Sequence, residues 1–226
     1  MIVLYMIHEQ DLSNPALIQA CLEQLPDARR QKVLRFRHCK DQALSLAASV
    51  SWSMAARIFG ADVCKEEIEY NPLGKPFFKN RPDLSFSLSH SGSFGAAALS
   101  PDTEVGLDVQ QTIILDLKLQ KRICTQAELE RLERIPENRR AAALTQLWAM
   151  KESFMKLEGS GLHLGLQNLD VSFEPDLSIR WHGKKMAVSF QVFEKEGCIF
   201  SLCSQKPRDV QIKCVKREEL KAWSTL

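Results

Sequence analysis

The sequence contains no apolar run of the length that crosses a membrane. A membrane-spanning helix needs about 20 consecutive apolar residues, and no stretch of this 226-residue chain approaches that length. The opening residues MIVLYMI have no basic segment before them and no small-residue cleavage site after them. We therefore expect a β-strand there rather than a signal peptide, and a cytoplasmic protein with no membrane partner.

Cysteine spacings that hold zinc or form a disulfide framework are also missing. The seven cysteines are odd in number and scattered, and no two of them are spaced as Cys-x-x-Cys. This pattern predicts reduced, mostly buried thiols rather than cross-links or a zinc site.

The chain also lacks linkers rich in glycine, proline or serine. Charged residues make up 26% of it and hydrophobic residues 45%, which is typical of a globular protein. The predicted order of elements, strand then helices then strands, occurs twice, with the second cycle starting near residue 103. We therefore predict an α+β fold of two similar halves, residues 1–102 and 103–226.

The first half contains a basic segment without acids, from Ala28 to Lys40. Its six basic residues are Arg29, Arg30, Lys32, Arg35, Arg37 and Lys40. Such a cluster is either a solvated helix face or a surface for phosphates or an acidic partner. Phe36 is its one aromatic residue. Base stacking needs more aromatic side chains than this, so we expect no nucleic-acid partner.

The segment LWAMKESFMKLEGSGL, residues 147–162, has the pattern of an amphipathic helix ending at Gly159. Lys151 falls in the middle of its apolar stripe. Glu152 lies at the edge of the stripe, and Lys156 follows one turn later on the same flank. Lys151 could extend its stem along the stripe with its ammonium at the edge of a cleft, or it could take part in catalysis.

In the predicted strand EVGLDVQ, Asp108 and Gln110 share one face, opposite Val105, Leu107 and Val109. They are either surface residues or oxygen donors for a metal. Glu152 favours the second interpretation, because a carboxylate beside an apolar stripe needs a partner. A Mg²⁺ ion with a substrate phosphate would provide one.

The strand FSLSHSG, residues 86–92, ends in His90, which is either a hydrogen-bonded core residue or a ligand-binding residue. No G-x-S-x-G motif surrounds its serines, so we do not expect a nucleophilic serine. Thr125 and Glu128 match a capping box at a helix start, and this structural role is the default for Glu128.

Taken together and in this order, these stretches resemble the Sfp-type 4'-phosphopantetheinyl transferases. The resemblance spans residues 29–162, about 60% of the chain. Its most specific feature is W-x-x-K-E-S-x-x-K preceded by a G-x-D strand. The matching stretches are RFRHCKDQALS, NPLGKPFF, FSLSHSG, VGLDVQ, TQAEL and LWAMKESFMKLEGSGL.

The resemblance implies a pseudo-dimer of two α+β halves with the active site at their interface. It also implies a monomeric enzyme that moves the phosphopantetheine arm of coenzyme A to a serine of an apo acyl or peptidyl carrier protein. Adenosine 3',5'-bisphosphate is the second product. The alternative is a catalytically silent protein that binds coenzyme A or a carrier protein.

By position in the family motifs, the resemblance assigns roles to individual residues. Asp108, Gln110 and Glu152 would hold Mg²⁺, although many relatives have a glutamate in place of Gln110. Lys156 would contact the pyrophosphate. Lys32 and Ser45, with Arg29 or Arg30, would hold the 3'-phosphate of coenzyme A. Ser89 and His90 would contact its other phosphates, and Lys75 would contact its adenine side.

The carrier serine must also lose a proton. Glu128 is the positional candidate for the base, and Glu152 or a metal-bound water competes with it. Lys156, Glu152 and Glu128 are therefore the predicted catalytic residues.

Overall fold

The computed structural model describes residues 1–113 and 116–225. Over these residues it contains both helices and several sheets, so the α+β class is confirmed. The pseudo-dimeric arrangement of two halves stays a prediction. Within the described part of the chain, no helix is long and apolar enough to cross a bilayer.

The first part of the chain forms a strand, three helices and four further strands. These are β1 (Ile2–His8), α1 (Pro15–Glu23), α2 (Asp27–Leu34), α3 (Cys39–Ile58), β2 (Ile68–Tyr70), β3 (Pro76–Phe78), β4 (Ser85–Ser91) and β5 (Phe94–Ser100). The predicted pair of strands joined at Ser91 and Gly92 is present as β4 and β5.

The second part repeats this order of elements. It consists of β6 (Val105–Gln111), α4 (Leu117–Ile123), α5 (Gln126–Glu133), α6 (Glu137–Glu158), β7 (Leu169–Ser172), β8 (Ser178–Trp181), β9 (Lys184–Lys185), β10 (Ser189–Lys195), β11 (Cys198–Ser204), β12 (Val210–Val215) and α7 (Arg217–Ser224).

The contacts between residues divide the chain into two compact units. The first comprises residues 1–69, 76–102 and 208–226, and the second comprises residues 70–75 and 103–207. The sequence prediction assigns the chain end to the second half. In the structure it belongs to the first unit, because β12 pairs in parallel with β1.

The first unit is built on a sheet with the strand order β12-β1-β5-β4, against which α3 packs. Close packing is possible because β5 has a glycine where α3 crosses it. A Cβ on Gly95 would lie 2.3 Å from the backbone nitrogen of Ala48. The core also takes in Leu220 and Trp223 of α7.

The second unit has the sheet order β10-β11-β6, with α6 packed against β6 and β11. Ser153 of α6 and Ser201 of β11 share a buried hydrogen bond of 2.8 Å between their hydroxyl oxygens. A second sheet, β7-β8-β9, completes the core of this unit with Leu169, Val171 and Ile179. Helix α6 thus contacts strands of both sheets and helix α5.

Candidate functional site

Helix α6 carries an acid and a base on one flank, one helical turn apart. Glu152 and Lys156 are both half-buried. The helix contains no glycine or proline between Glu137 and Glu158, and it ends at Gly159, whose φ of 66° is the left-handed conformation that favours glycine. The regular four-residue spacing therefore brings both side chains to the same side of the helix.

Strand β6 supplies a second carboxylate. Asp108 is 5% exposed, and its Oδ1 accepts a hydrogen bond of 2.7 Å from Lys156 Nζ. Two residues earlier, a Cβ on Gly106 would lie 2.0 Å from the carbonyl oxygen of Ser153 and 2.4 Å from the nitrogen of Leu157. Because Gly106 has no side chain, α6 can approach β6 closely enough for Lys156 to reach Asp108.

Two negative charges lie close together at this place. Burial raises the pKa of Glu152 above its ordinary value, the negative charge of Asp108 raises it further, and Lys156 opposes both effects. Two carboxylates and the ammonium of Lys156 are therefore neighbours in a partly desolvated setting. Such a setting favours binding of an additional cation.

The donor atoms at this place suit a hard cation such as Mg²⁺. Asp108 and Glu152 offer carboxylate oxygens, and the half-buried Gln110 lies two residues beyond Asp108 on β6. No group of three or more His, Cys, Asp or Glu side chains that could hold a metal occurs among the described residues. Two carboxylates are nevertheless enough for Mg²⁺, which usually takes its other ligands from water and phosphates.

The carboxyl end of α6 is held by the turn that begins at Asn71. Asn71 Nδ2 donates to the carbonyl oxygen of Gly159 at 3.0 Å, and Lys75 Nζ donates to that of Leu157 at 2.8 Å. Lys75 Nζ also pairs with Glu104 Oε2 at 2.6 Å. The ammonium of Lys75 therefore neutralises the end of the helix dipole, and it is already occupied by protein groups.

One of the two alternatives for Lys151 places its ammonium at the edge of a cleft, but in the structure this ammonium is buried. The side chain is 0% exposed, and Nζ donates to Glu128 Oε2 at 2.6 Å. The same ammonium donates to the carbonyl oxygens of Ile123 and Leu166. Burial lowers the pKa of Lys151, and the negative charge of Glu128 opposes this shift.

Glu128 forms the predicted capping box with Thr125, so its structural role is confirmed. Its side chain is also 0% exposed. Oε1 accepts a hydrogen bond from the backbone nitrogen of Val171, and Oε2 accepts one from that of Thr125. A general base must come within hydrogen-bond reach of the proton it takes. Glu128 offers no exposed atom for this purpose, whereas Glu152 is only half-buried.

In the first unit, the basic segment packs against α3 through Arg29. Arg29 Nε donates to Ser49 Oγ at 2.7 Å, and Ser49 Oγ donates to the carbonyl oxygen of Ser45 at 2.6 Å. Partial burial lowers the pKa of Lys32, and the positive charge of Arg29 adds to this effect. Two cations thus lie close together, which favours binding of an anion.

Two other residues predicted for the coenzyme phosphates have different surroundings. The side chain of Arg30 forms an ion pair with Asp27 one turn away. Ser45 is 0% exposed, and its hydroxyl has no hydrogen-bond partner among the residues that the structure describes. Ser45 therefore has no exposed atom for the phosphate contact that was predicted for it.

Ser89 and His90 lie next to each other near the end of β4. Ser89 is buried and His90 is half-buried. The ring of His90 meets that of Phe36 edge to face, with 5.9 Å between the ring centroids. Phe36 follows α2, so His90 contacts the same basic segment that contains Lys32.

The structure thus brings together Asp108, Glu152 and Lys156, and it places Glu128 in a separate buried group with Lys151. Three residues that hold these groups in place, Ser49, Asn71 and Asp170, are not among the predicted site residues. Ser49 lies four residues after Ser45 on the same face of α3, and this spacing could have identified it. Asp170, which accepts a hydrogen bond from Thr125 Oγ1 at 3.0 Å, gives no local signal because its partner is 45 residues away.

Comparison with known proteins identifies relatives of this chain. The family model described as the 4'-phosphopantetheinyl transferase superfamily matches residues 104–214. The 4'-phosphopantetheinyl transferase Sfp of Bacillus subtilis (strain 168) is 29% identical over 197 residues, covering 85% of this chain and 88% of the relative. The 4'-phosphopantetheinyl transferase ffp of Bacillus subtilis is 30% identical over 186 residues, covering 79% and 81%.

A more distant match comes from a eukaryote. The L-aminoadipate-semialdehyde dehydrogenase-phosphopantetheinyl transferase of Saccharomyces cerevisiae is 26% identical over 188 residues, which cover 75% of this chain and 66% of the relative. The similarity to these relatives extends over most of the chain, beyond the residues that the family model matches. This chain therefore belongs to the 4'-phosphopantetheinyl transferase superfamily.

Proposed function

We propose that this protein transfers the 4'-phosphopantetheine arm of coenzyme A to a serine of an apo acyl or peptidyl carrier protein. The reaction breaks the pyrophosphate bond of coenzyme A and releases adenosine 3',5'-bisphosphate. The observation that carries the proposal is the Asp108–Lys156 ion pair with Glu152 one turn away. It combines anionic oxygens for a cation with an ammonium for a phosphate, and phosphoryl transfer depends mainly on such charges.

Asp108 and Glu152 would hold Mg²⁺, and Gln110 would add an amide oxygen or orient a bound water. When bound, the ion supplies positive charge against the pyrophosphate oxygens. Lys156 is half-buried and hydrogen-bonded to Asp108. Its ammonium would neutralise a pyrophosphate oxygen while remaining fixed by Asp108, so that its position is set before substrate binds.

Glu152 is also our candidate for the group that takes the proton of the carrier serine. Its side chain is half-buried rather than fully buried, and a general base must come within hydrogen-bond reach of the proton it takes. The buried position of Glu128 supports assigning this role to Glu152 instead.

The adenosine end of coenzyme A carries a 3'-phosphate, and we assign it to Lys32 and Arg29 of the first unit. Ser89 and His90 would contact the other phosphates. The ammonium of Lys75 is bonded to Glu104 and Leu157, so an adenine contact at Lys75 would use its backbone and aliphatic stem. We leave Ser45 out of this assignment because it is wholly buried.

The decisive experiment mixes the purified protein with coenzyme A, Mg²⁺ and a panel of apo-carrier proteins, and weighs the carriers by mass spectrometry. We expect one phosphopantetheine group to be added to each accepted carrier, with equal release of adenosine 3',5'-bisphosphate. A catalytically silent protein would bind coenzyme A or a carrier without any change in carrier mass. The proposed cytoplasmic, monomeric state is checked by cell fractionation and by light scattering.

Magnesium titrations test the ligand set. Gln110→Glu adds a negative charge and should lower the Mg²⁺ concentration that gives half of the maximal rate, whereas Gln110→Ala should raise it modestly. Both variants should keep most of the maximal rate. If the titration curves of the wild type and of both variants coincide, Gln110 is not a ligand. Calorimetric titration of Mg²⁺ in the presence of coenzyme A gives the same comparison without turnover.

A further inference from the structure

Lys151 lies directly before Glu152 on α6, but it faces the interior of the second unit. Its ammonium has three donors, and each reaches a hydrogen-bond acceptor. These acceptors are Glu128 Oε2 at 2.6 Å and the carbonyl oxygens of Ile123 at 2.8 Å and Leu166 at 2.9 Å. With all three donors occupied, the ammonium has none left for a substrate.

Glu128 extends this set of contacts to two further segments. Its Oε2 accepts from the backbone nitrogen of Thr125 at 2.8 Å, and its Oε1 accepts from that of Val171 at 2.7 Å. The pair therefore bonds the last residue of α4, the start of α5, the turn around Leu166 and strand β7 to the middle of α6. No other side-chain pair among the described residues has both members 0% exposed and oppositely charged.

Burying two opposite charges is costly, and a well-packed apolar pair of similar volume often stabilises a fold as well or better. An apolar pair, however, has no directional bonds. It would let α6 rotate or slide slightly against α5 and β7, whereas five hydrogen bonds of fixed direction do not. The pair therefore fixes the position of α6 more effectively than it stabilises the fold.

We propose that the buried Lys151–Glu128 pair is a positioning device for the active site, and that neither residue contacts the substrates. Consecutive residues of a helix point about 100° apart, so the direction in which Lys151 is held fixes the direction in which Glu152 leaves the helix. One turn later the same constraint fixes Lys156. The inference rests on the proposed function, because it assigns Glu152 and Lys156 to the reaction.

The test uses two variants that disturb folding to different extents. Glu128→Gln keeps the shape of the side chain and an acceptor for Lys151, but it places an amide NH₂ group against a backbone N–H donor. The double variant Glu128→Leu with Lys151→Met replaces the whole pair by apolar groups. Lys65→Met serves as a matched control, because Lys65 forms an exposed ion pair with Asp62 in the first unit.

We expect the rate constant kcat of both test variants to fall about tenfold or more, because small misplacements of reacting groups are costly. The Mg²⁺ concentration for half of the maximal rate should rise, while KM for coenzyme A stays within about threefold of the wild-type value. The melting temperature of the double variant should remain near that of the wild type. Lys65→Met should change none of these quantities.

Amide hydrogen exchange gives a readout that does not depend on turnover. In the test variants, exchange should become faster at Thr125 and Val171, whose amides bond to Glu128, and in the turn around Leu166. Exchange in the first unit should not change. If the wild-type protein modifies none of the carriers, an outcome that would contradict the proposed function alone, calorimetric titration of Mg²⁺ in the presence of coenzyme A replaces kcat as the deciding measurement, and weaker Mg²⁺ binding in the test variants is then the expected result.

Wild-type kcat and Mg²⁺ dependence in the folded double variant would overturn the inference, since the bonds would then be dispensable. If the double variant does not fold, Glu128→Gln decides by the same quantities. A loss of melting temperature in Glu128→Gln without any change in kcat or Mg²⁺ dependence would show a purely structural pair, and would likewise overturn it.

Discussion

At the scale of single residues, the candidate site is a compromise between folding and binding. Glu152 is partly buried close to the negative charge of Asp108, with Lys156 acting on both carboxylates. The repulsion between the two carboxylates is unfavourable while no cation is bound. A bound cation would relieve this repulsion.

The first prediction follows from this charge. A carboxyl whose pKa is raised in the folded state stabilises the fold only while it is protonated. Its contribution is most favourable below the ordinary pKa of 4.5 and is lost as the pH rises through the raised value. Without Mg²⁺, Glu152→Gln should therefore raise the melting temperature at pH 7 by about 2–4 °C, and this gain should disappear near pH 4.

The same substitution should lower the rate of transfer by about 10²-fold or more, because a neutral amide cannot replace an anionic ligand or a base. Thermal melts at several pH values and carrier mass spectrometry measure the two effects. Glu158→Gln on the same helix is the control, since Glu158 is exposed and should alter neither. A melting temperature that falls in Glu152→Gln at pH 7 would contradict the charge argument.

The thiols give a second residue-scale prediction. Burial raises the pKa of Cys21 to about 12 and that of Cys124 to about 11, so thiolate is scarce at both. Cys39 and Cys64 are exposed, but burial of the Cys64 sulfur and the nearby Asp62 raise the pKa of that thiol. Iodoacetamide at pH 8 should modify Cys39 first and then Cys64. It should modify Cys21 and Cys124 only after unfolding, and peptide mass spectrometry would show this order. Early labelling of Cys21 would contradict the described core.

At the scale of elements, the site depends on the close contact between α6 and β6. Gly106 makes this contact possible, since any side chain there would collide with the backbone of α6 at Ser153 and Leu157. Gly95 has the same role between β5 and α3, where a Cβ would collide with Leu44 and Ala48. The two glycines provide a matched pair, because only one of them lies beside the candidate site.

The third prediction compares these glycines. Gly106→Ala and Gly95→Ala should each lower the free energy of unfolding by about 3 kcal/mol, because backbone must move to admit a methyl group. Only Gly106→Ala should also raise the Mg²⁺ concentration needed for half of the maximal rate, since it separates Lys156 from Asp108. Urea unfolding and magnesium titration measure the two effects. Equal magnesium curves for both variants would show that the approach of α6 does not set the site.

Most elements could be predicted from the sequence, because strand alternation, capping residues and the stop at Gly159 are local signals. The break between α2 and α3 could not, since residues 35–38 contain no glycine or proline and continue the basic pattern. Only part of the environment of Lys151 could be predicted. Its place in the apolar stripe could be read from the spacing, but its partner Glu128 lies 23 residues away, and periodicity does not report such pairings.

At the scale of the whole chain, its two ends meet in the first unit. Strand β12 pairs with β1 from Ile2↔Val210 to Ile7↔Val215. Helix α7 packs on α1, and Trp223 is buried with Arg57 5.2 Å from its ring. The sequence could not show this, because β12 would fit the edge of either sheet by its own pattern, and the choice is made by tertiary contacts.

The last prediction tests this assignment with one large-to-small substitution in each unit. Trp223→Ala removes a side chain from the core of the first unit, and Phe190→Ala removes one from the core of the second. Each should cost about 3–5 kcal/mol of unfolding free energy.

In amide exchange, Trp223→Ala should first expose β1 and α1, although Trp223 lies near the end of the chain, whereas Phe190→Ala should first expose β11 and α6. If Trp223→Ala instead loosens β11 and α6 first, the carboxyl-terminal residues belong with the second unit, as the order of the sequence suggests. If each substitution loosens its own unit, both units can open separately, and the candidate site on α6 and β6 should then lose its Mg²⁺ dependence only in Phe190→Ala.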